Sequence, residues 1–206
     1  EILKFAFVVY LAAWLDARRK EVRSMSYGMI PFAIMLGIIG IFLIMQPDLG
    51  TLGVIVLTAG ILYLLGGGKV SQIGMLFMFG LLLFYLLLQL APYRLNRVLV
   101  FLNPSLDPQG IGYQINQAFI AIGSGGFLGR GFGQSIQKYH YLPEPMGDSI
   151  FAIFAEELGF IGVFVLIAGF LFFYWRAMVI ARRAPDTFSK LLAAGISTSI
   201  IIQAFI

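Results

Sequence analysis

The sequence predicts an all-α fold, a polytopic bundle of transmembrane helices, and three observations carry that expectation. Of its 206 residues 60% are hydrophobic and only 12% charged, with a mean hydropathy of +0.92, far outside the balance of an ordinary soluble domain. The apolar residues gather into runs that approach the roughly 20 residues needed to cross a bilayer. Between the runs stand short loops rich in Lys and Arg, so the formal charge of +4 reads as membrane topology and no nucleic-acid partner is expected. The 24 Gly fit the same class, because Gly lets helices approach where no hydrophobic effect drives them together. With no Cys, neither disulfides nor thiolate metal sites are available, and His140 as the single His argues against a His-rich metal site.

Six apolar runs follow in order. The first, Ile2 to Leu15, leads into a basic loop, DARRKEVRSMSYG. The second, Met29 to Met45, and the third, Thr51 to Leu65, share only the link QPDLG and so form a hairpin. After GGGKVSQ a fourth run extends from Ile73 to Ala91. The one long hydrophilic stretch, residues 92–147, precedes a fifth run from Ser149 to Trp175, and the basic loop RAMVIARRAPD leads to a sixth beginning near Lys190. The chain opens at Glu1 and stops inside STSIIIQAFI, so the expectation is one transmembrane domain over 1–206, truncated at both ends.

Strict alternation places Arg18, Arg19, Lys20, Arg23, Lys69, Arg176, Arg182, Arg183 and Lys190 on one side, nine of the fourteen basic residues. That side reads as cytoplasmic. The long loop then lies outside, with Arg94, Arg97, Arg130 and Lys138, and long loops obey the positive-inside rule weakly. Within it GIGYQINQAFIAI sets Ile111, Ile115, Ala118, Phe119 and Ile122 at helical spacing, an amphipathic helix lying on the membrane or capping the bundle. The following GSGGFLGRGFG lacks the GK[ST] ending and βαβ context of a nucleotide loop. It reads as a flexible loop, whose backbone N–H groups, near Arg130 and Lys138, could also meet a phosphate.

The chain is organised around YHYLPEPMGDSIFAIFAEELGFIG, where a Pro-rich turn ends at Asp148 and enters the fifth run, which holds Glu156 and Glu157. Intramembrane acids are costly and ask for a function or a partner. Two readings of Asp148 stay open, a helix N-cap and a catalytic carboxylate. At 100° per residue, Asp148, Ala152, Ala155, Gly159 and Gly162 share one face with Glu156 at its edge, while Glu157 points away. That small-residue face could serve close helix packing or floor a cavity. Lys4 shares a helix face with Glu1 and is either an intramembrane cation or a side chain snorkelling to water. Asp48, in QPDLG, suits a turn.

The stretches EILKFAFVVYLAAWL, QPDLGT, AFIAIGSGGFLGRGFGQS and YLPEPMGDSIFAIFAEELGFIG, spread in order over nearly the whole chain, resemble the SEDS family (shape, elongation, division and sporulation), whose members include RodA, FtsW and SpoVE. The resemblance implies a ten-helix protein of the bacterial inner membrane, six of whose helices fall here. It also implies the activity, a peptidoglycan glycosyltransferase that polymerises lipid II into glycan strands. A class B penicillin-binding protein as transpeptidase, other division or elongation membrane proteins and membrane lipids are the implied partners. The family's essential aspartate falls on Asp148, the implied general base, although its usual preceding His-Thr is Met146-Gly147 here, and the family's Glu-x-x-Lys falls on Glu1 and Lys4. Lys4, Glu1, Arg130, Lys138 and Glu144 become substrate-binding candidates, and Asp48, Glu156 and Glu157 structural or secondary ones. No cofactor is evident, and the pyrophosphate leaving group calls for positive charge from Lys4, Arg130, Lys138 or a divalent cation, Mg or Mn. The family's later Gly- and Ser-rich motif is not in this chain. Two rivals remain at this stage, a lipid II flippase and a noncatalytic scaffold. YHYLPEP and AEELGFIG look more like the division and sporulation branches, whereas QPDLGT is shared with the elongation branch.

Overall fold

In lipid an apolar run can satisfy its backbone N–H and C=O groups only within itself or in a closed barrel, and in the computed structural model each expected run is helical. The structure describes residues 1–46, 48–90, 99–100, 103, 110–135 and 149–206. The helices are α1 (Ile2–Ala17), α2 (Ile30–Met45), α3 (Leu49–Leu65), α4 (Val70–Leu90), α5 (Ile111–Gly125), α6 (Ile150–Arg182) and α7 (Thr187–Phe205), with a π-helical turn at Met25–Met29 leading into α2. Met25–Met45, Ile150–Arg182 and Thr187–Phe205 are long and apolar enough to cross a membrane, and Leu49–Leu65 and Val70–Leu86 are shorter apolar helices. Pro31 falls in the first turn of α2, where its missing N–H costs nothing. Asp48 caps α3, its Oδ1 accepting the Thr51 N–H at 2.9 Å. That bond to the charged form holds the Asp48 carboxyl below the usual range.

The fifth run differs from its expected form in two ways. It continues to Arg182, so most of RAMVIARRAPD is helix and only a short link reaches α7. Nothing in RAMVIAR opposes a helix, whereas Pro185 disfavours one at the residue before it, and Asp186 then caps α7 through the Ser189 N–H at 2.8 Å. The run is also interrupted at Gly159, whose φ of 64° and ψ of −166° are not helical. A single 100° projection therefore does not carry Gly162 onto the face of Ala152 and Ala155.

The described chain groups into two compact units, Glu1–Leu81 with Phe170–Ile206, and Leu82–Gly169. In the first, α7 packs on α1 and α3 around the fully buried Leu11, Leu15, Leu62, Tyr63 and Leu191. The buried face of α7 is small, with Ala194, Gly195, Ser197 and Thr198. A Cβ at Gly195 would press on the Val8 and Leu62 side chains, so the close approach depends on that glycine. At one end of this unit the first, third and fifth loops meet: Arg23 Nε donates to the Gly67 carbonyl at 3.2 Å and Arg19 Nη1 to Thr187 Oγ1 at 3.1 Å. This grouping is the one strict alternation requires.

In the second unit α5 lies on the first part of α6 through Ala118 and Ala121 against Ala152 and Ile153. Of the expected apolar face Ala118 packs here, while Phe119 and Ile122 are exposed, as a helix lying on the membrane would leave them. Backbone approach decides this: a Cβ at Gly125 would run into the Ala155 carbonyl, leaving room only for small side chains at the contact.

Candidate functional site

At the start of α1, Lys4 is 5% exposed. Its Nζ donates to Glu1 Oε1 at 2.7 Å and to Gln203 Oε1, on α7, at 2.9 Å. The Gln203 amide lies 3.4 Å from the same Glu1 oxygen. Lys4 is thus held by partners and does not snorkel to water. A buried ammonium needs such acceptors, and of its three donors two are taken by these bonds. The third N–H can serve a further acceptor, such as a phosphate oxygen. Sequence reasoning found Lys4 and Glu1 by their spacing and missed Gln203. The signal that marks Lys4, a polar residue inside an apolar run, is present in IIIQAF too.

In the other unit the glycine-rich loop after α5 is joined to the break in α6. An unbroken helix would pair the Phe160 and Ile161 N–H groups with the Glu156 and Glu157 carbonyls. Here Phe160 N–H donates to the Gly126 carbonyl at 2.9 Å and Ile161 N–H to Phe127 at 3.2 Å. The carbonyls so released are met by the loop, Glu156 by Arg130 N–H at 3.0 Å and Glu157 by Gly131 N–H at 3.1 Å. The break therefore leaves none of these four groups unsatisfied. Gly159 makes it possible, because its φ and ψ belong to a region open essentially to glycine and a Cβ there would meet the Gly129 nitrogen. Gly129, at φ +78°, has the matching need, as its Cβ would meet the Glu157 carbonyl.

This splice also turns the two acids inward. Glu156, 1% exposed, accepts from Ser135 Oγ at 2.5 Å and faces Arg130 Nη1 at 3.7 Å. Glu157 is buried as well, its Oε2 accepting the Gly133 N–H at 2.9 Å. One expectation about the loop is corrected by the same geometry. The loop is not free chain, and its N–H groups at Gly129, Arg130, Gly131 and Gly133 are committed to protein oxygens, so they do not form a phosphate nest. Among the described residues Ala152 packs on Ala121, and Gly125 comes close to the Ala155 carbonyl, as close helix packing requires.

Asp148, Lys138, Glu144 and His140 lie outside the described residues. In the described backbone that follows, the carbonyl of buried Ser149 accepts from the Ala152 and Ile153 N–H groups at 3.1 and 3.2 Å. Sequence reasoning did not find Ser135, whose signal is only nearness to the glycine run. Among the described residues no group of three His, Asp or Glu side chains could hold a metal ion alone.

Comparison with known proteins adds a family. The model of the FtsW/RodA/SpoVE family, described as cell cycle protein, matches residues 1–206. A "Probable peptidoglycan glycosyltransferase FtsW" of Idiomarina loihiensis is 43% identical over 209 residues, covering 100% of this chain and 51% of that protein. "Stage V sporulation protein E" of Bacillus subtilis is likewise 43% identical over 209 residues, with 100% and 56% covered. A second probable FtsW, of Trichlorobacter lovleyi, is 40% identical over 215 residues, with 100% and 54% covered. The chain spans about half the length of the curated relatives it matches.

Proposed function

This chain belongs to the FtsW/RodA/SpoVE family, and from that premise we propose that it carries the acid–base side of a peptidoglycan glycosyltransferase that polymerises lipid II at the outer face of the bacterial inner membrane. The observation that carries this reading is the match over the whole chain to relatives named as probable peptidoglycan glycosyltransferases.

In the proposed reaction the 4-hydroxyl of an acceptor sugar attacks the anomeric carbon of a lipid-linked donor. Undecaprenyl pyrophosphate leaves and the anomeric centre inverts in a single displacement. Asp148 takes the hydroxyl proton as general base. In that role its side chain faces the acceptor sugar and not the helix N–H groups, because a carboxylate bonded to them would be a weaker base. The pyrophosphate needs positive charge, for which Lys4 and Arg130 are both candidates, each with N–H donors beyond those bonded to protein. Lys138 and Glu144 are further candidates for the substrate contacts. A divalent cation, Mg or Mn, would supply further positive charge to that leaving group. Glu1 orients Lys4, and Asp48, Glu156 and Glu157 have structural roles. A class B penicillin-binding protein would cross-link the strands, and other division or elongation membrane proteins would complete the assembly.

The test is a gel assay of lipid II polymerisation by the purified full-length protein with its partner transpeptidase. Asp148→Ala should lower the rate about a hundredfold or more while lipid II still binds. Undiminished polymerisation by Asp148→Ala would overturn the assignment.

A further inference from the structure

At the end of the first unit where the basic loops meet, a cleft of about 280 Å³ opens among the α1 end, the turn after α3 and the link between α6 and α7. Its lining includes Arg19, Gly66, Gly67, Asp186, Thr187 and Lys190. No step of the proposed transfer uses these residues. Arg19 is oriented by its bond to Thr187 Oγ1 at 3.1 Å. Lys190 stands exposed in the first turn of α7 and has only its backbone N–H engaged, on the Asp186 carbonyl at 3.1 Å. The acid in the lining, Asp186, has one oxygen on the Ser189 N–H and the other on the Ser189 hydroxyl, both at 2.8 Å. Its carboxylate serves the helix end and leaves the two cations without a protein counter-ion in the cleft. Arg23, bonded to the Gly67 carbonyl at 3.2 Å, adds a third positive charge beside it.

We propose that this cleft binds a phosphate ester, with Arg19 and Lys190 neutralising its charge and the Thr187 hydroxyl as a polar contact. Two cations on separate elements, flanking a hydroxyl, suit the spread oxygens of a phosphate better than a single carboxylate. The cleft lies where α1, α3 and α6 end and α7 begins, the level at which lipid headgroups sit beside spanning helices, and basic pockets between such helices bind phosphate headgroups. The ester can come from an anionic phospholipid or from a soluble phosphate.

The experiment titrates the full-length protein in a neutral detergent with phosphatidylglycerol labelled on its acyl chain, at fixed ionic strength. Arg19→Gln/Lys190→Gln should weaken binding about tenfold or more, while Arg182→Gln/Arg183→Gln, the same loss of charge outside the lining, should change it less than about threefold. Lys190→Gln alone, an exposed site, should give an intermediate loss and carries the comparison should the double variant misfold. Displacement of the lipid by millimolar glycerol phosphate identifies a soluble ester as sufficient, and its failure identifies the lipid; both accord with a phosphate site. Equal weakening in the two double variants, or none in the cleft variants, overturns the proposal.

Discussion

At Lys4 a buried charge is held by side chains reaching between two unbroken helices, whereas at Glu156 and Glu157 a helix is interrupted and a loop's backbone is bonded into the gap. The first arrangement tolerates adjustment, because Glu1 and Gln203 can each swing to keep an acceptor near the ammonium. The second has little freedom. Four backbone hydrogen bonds and two glycine conformations fix where the loop lies, and the acids are then positioned by that backbone. Rigid placement at α6 suits a helix whose first turn follows Asp148.

The strongest way to break this contrast is Gly159→Val. A side chain at φ 64° is strained and meets loop backbone, so a loss of about 3 kcal/mol or more is expected in thermal unfolding of the full-length protein. Gly169→Ala, on the same helix with open space around the added carbon, should stay within about 1 kcal/mol of the parent. Were the two variants alike, the splice would not be the rigid element described.

The side-chain arrangement is sharpened by Gln203→Leu, which removes one acceptor from a buried ammonium and should cost about 1–3 kcal/mol. Gln203→Glu keeps an acceptor and should cost less. A loss from Gln203→Leu exceeding that from Gly159→Val would reverse the ranking of the two regions.

The smallest effect is expected at the exposed cap of α7, outside both. The Ser189 backbone N–H, followed by its hydroxyl, holds the Asp186 carboxyl below the usual range. A carboxyl lowered on folding adds stability above its unfolded value, about 3.9, and that contribution is lost as pH falls through the folded value. Melting temperature should therefore drop between about pH 5 and pH 3, with a gentler slope in Asp186→Asn, which retains a capping acceptor. Identical slopes would show that this cap does not titrate with folding.

Much of this organisation was legible in the residues. Unbroken apolar runs of near-spanning length satisfy their own backbone in lipid as helices, and the runs predicted the helices to within a few residues, except where Arg176 to Arg182 continued α6. Glu1 and Lys4 were paired by their i, i+3 spacing, which is local and periodic. The resemblance carried by QPDLGT and the stretch around Asp148 gave the family. Gln203 was not paired with Lys4, because its contact joins residues 199 apart and no period reaches so far.

What the sequence determined by itself, then, was class, helix order, the alternation of loops and the presence of costly acids in α6. Tertiary structure alone decided that α6 breaks at Gly159, that Ser135, Arg130 and the Gly133 N–H meet the two glutamates and that the glycine loop is fastened and not free. A glycine within an apolar run is compatible with a straight helix or a broken one, and the choice rests on whether a distant segment arrives to satisfy the released N–H and C=O groups. That arrival depends on the packing of α5 against α6, where small side chains allow two backbones to come close enough to exchange hydrogen bonds.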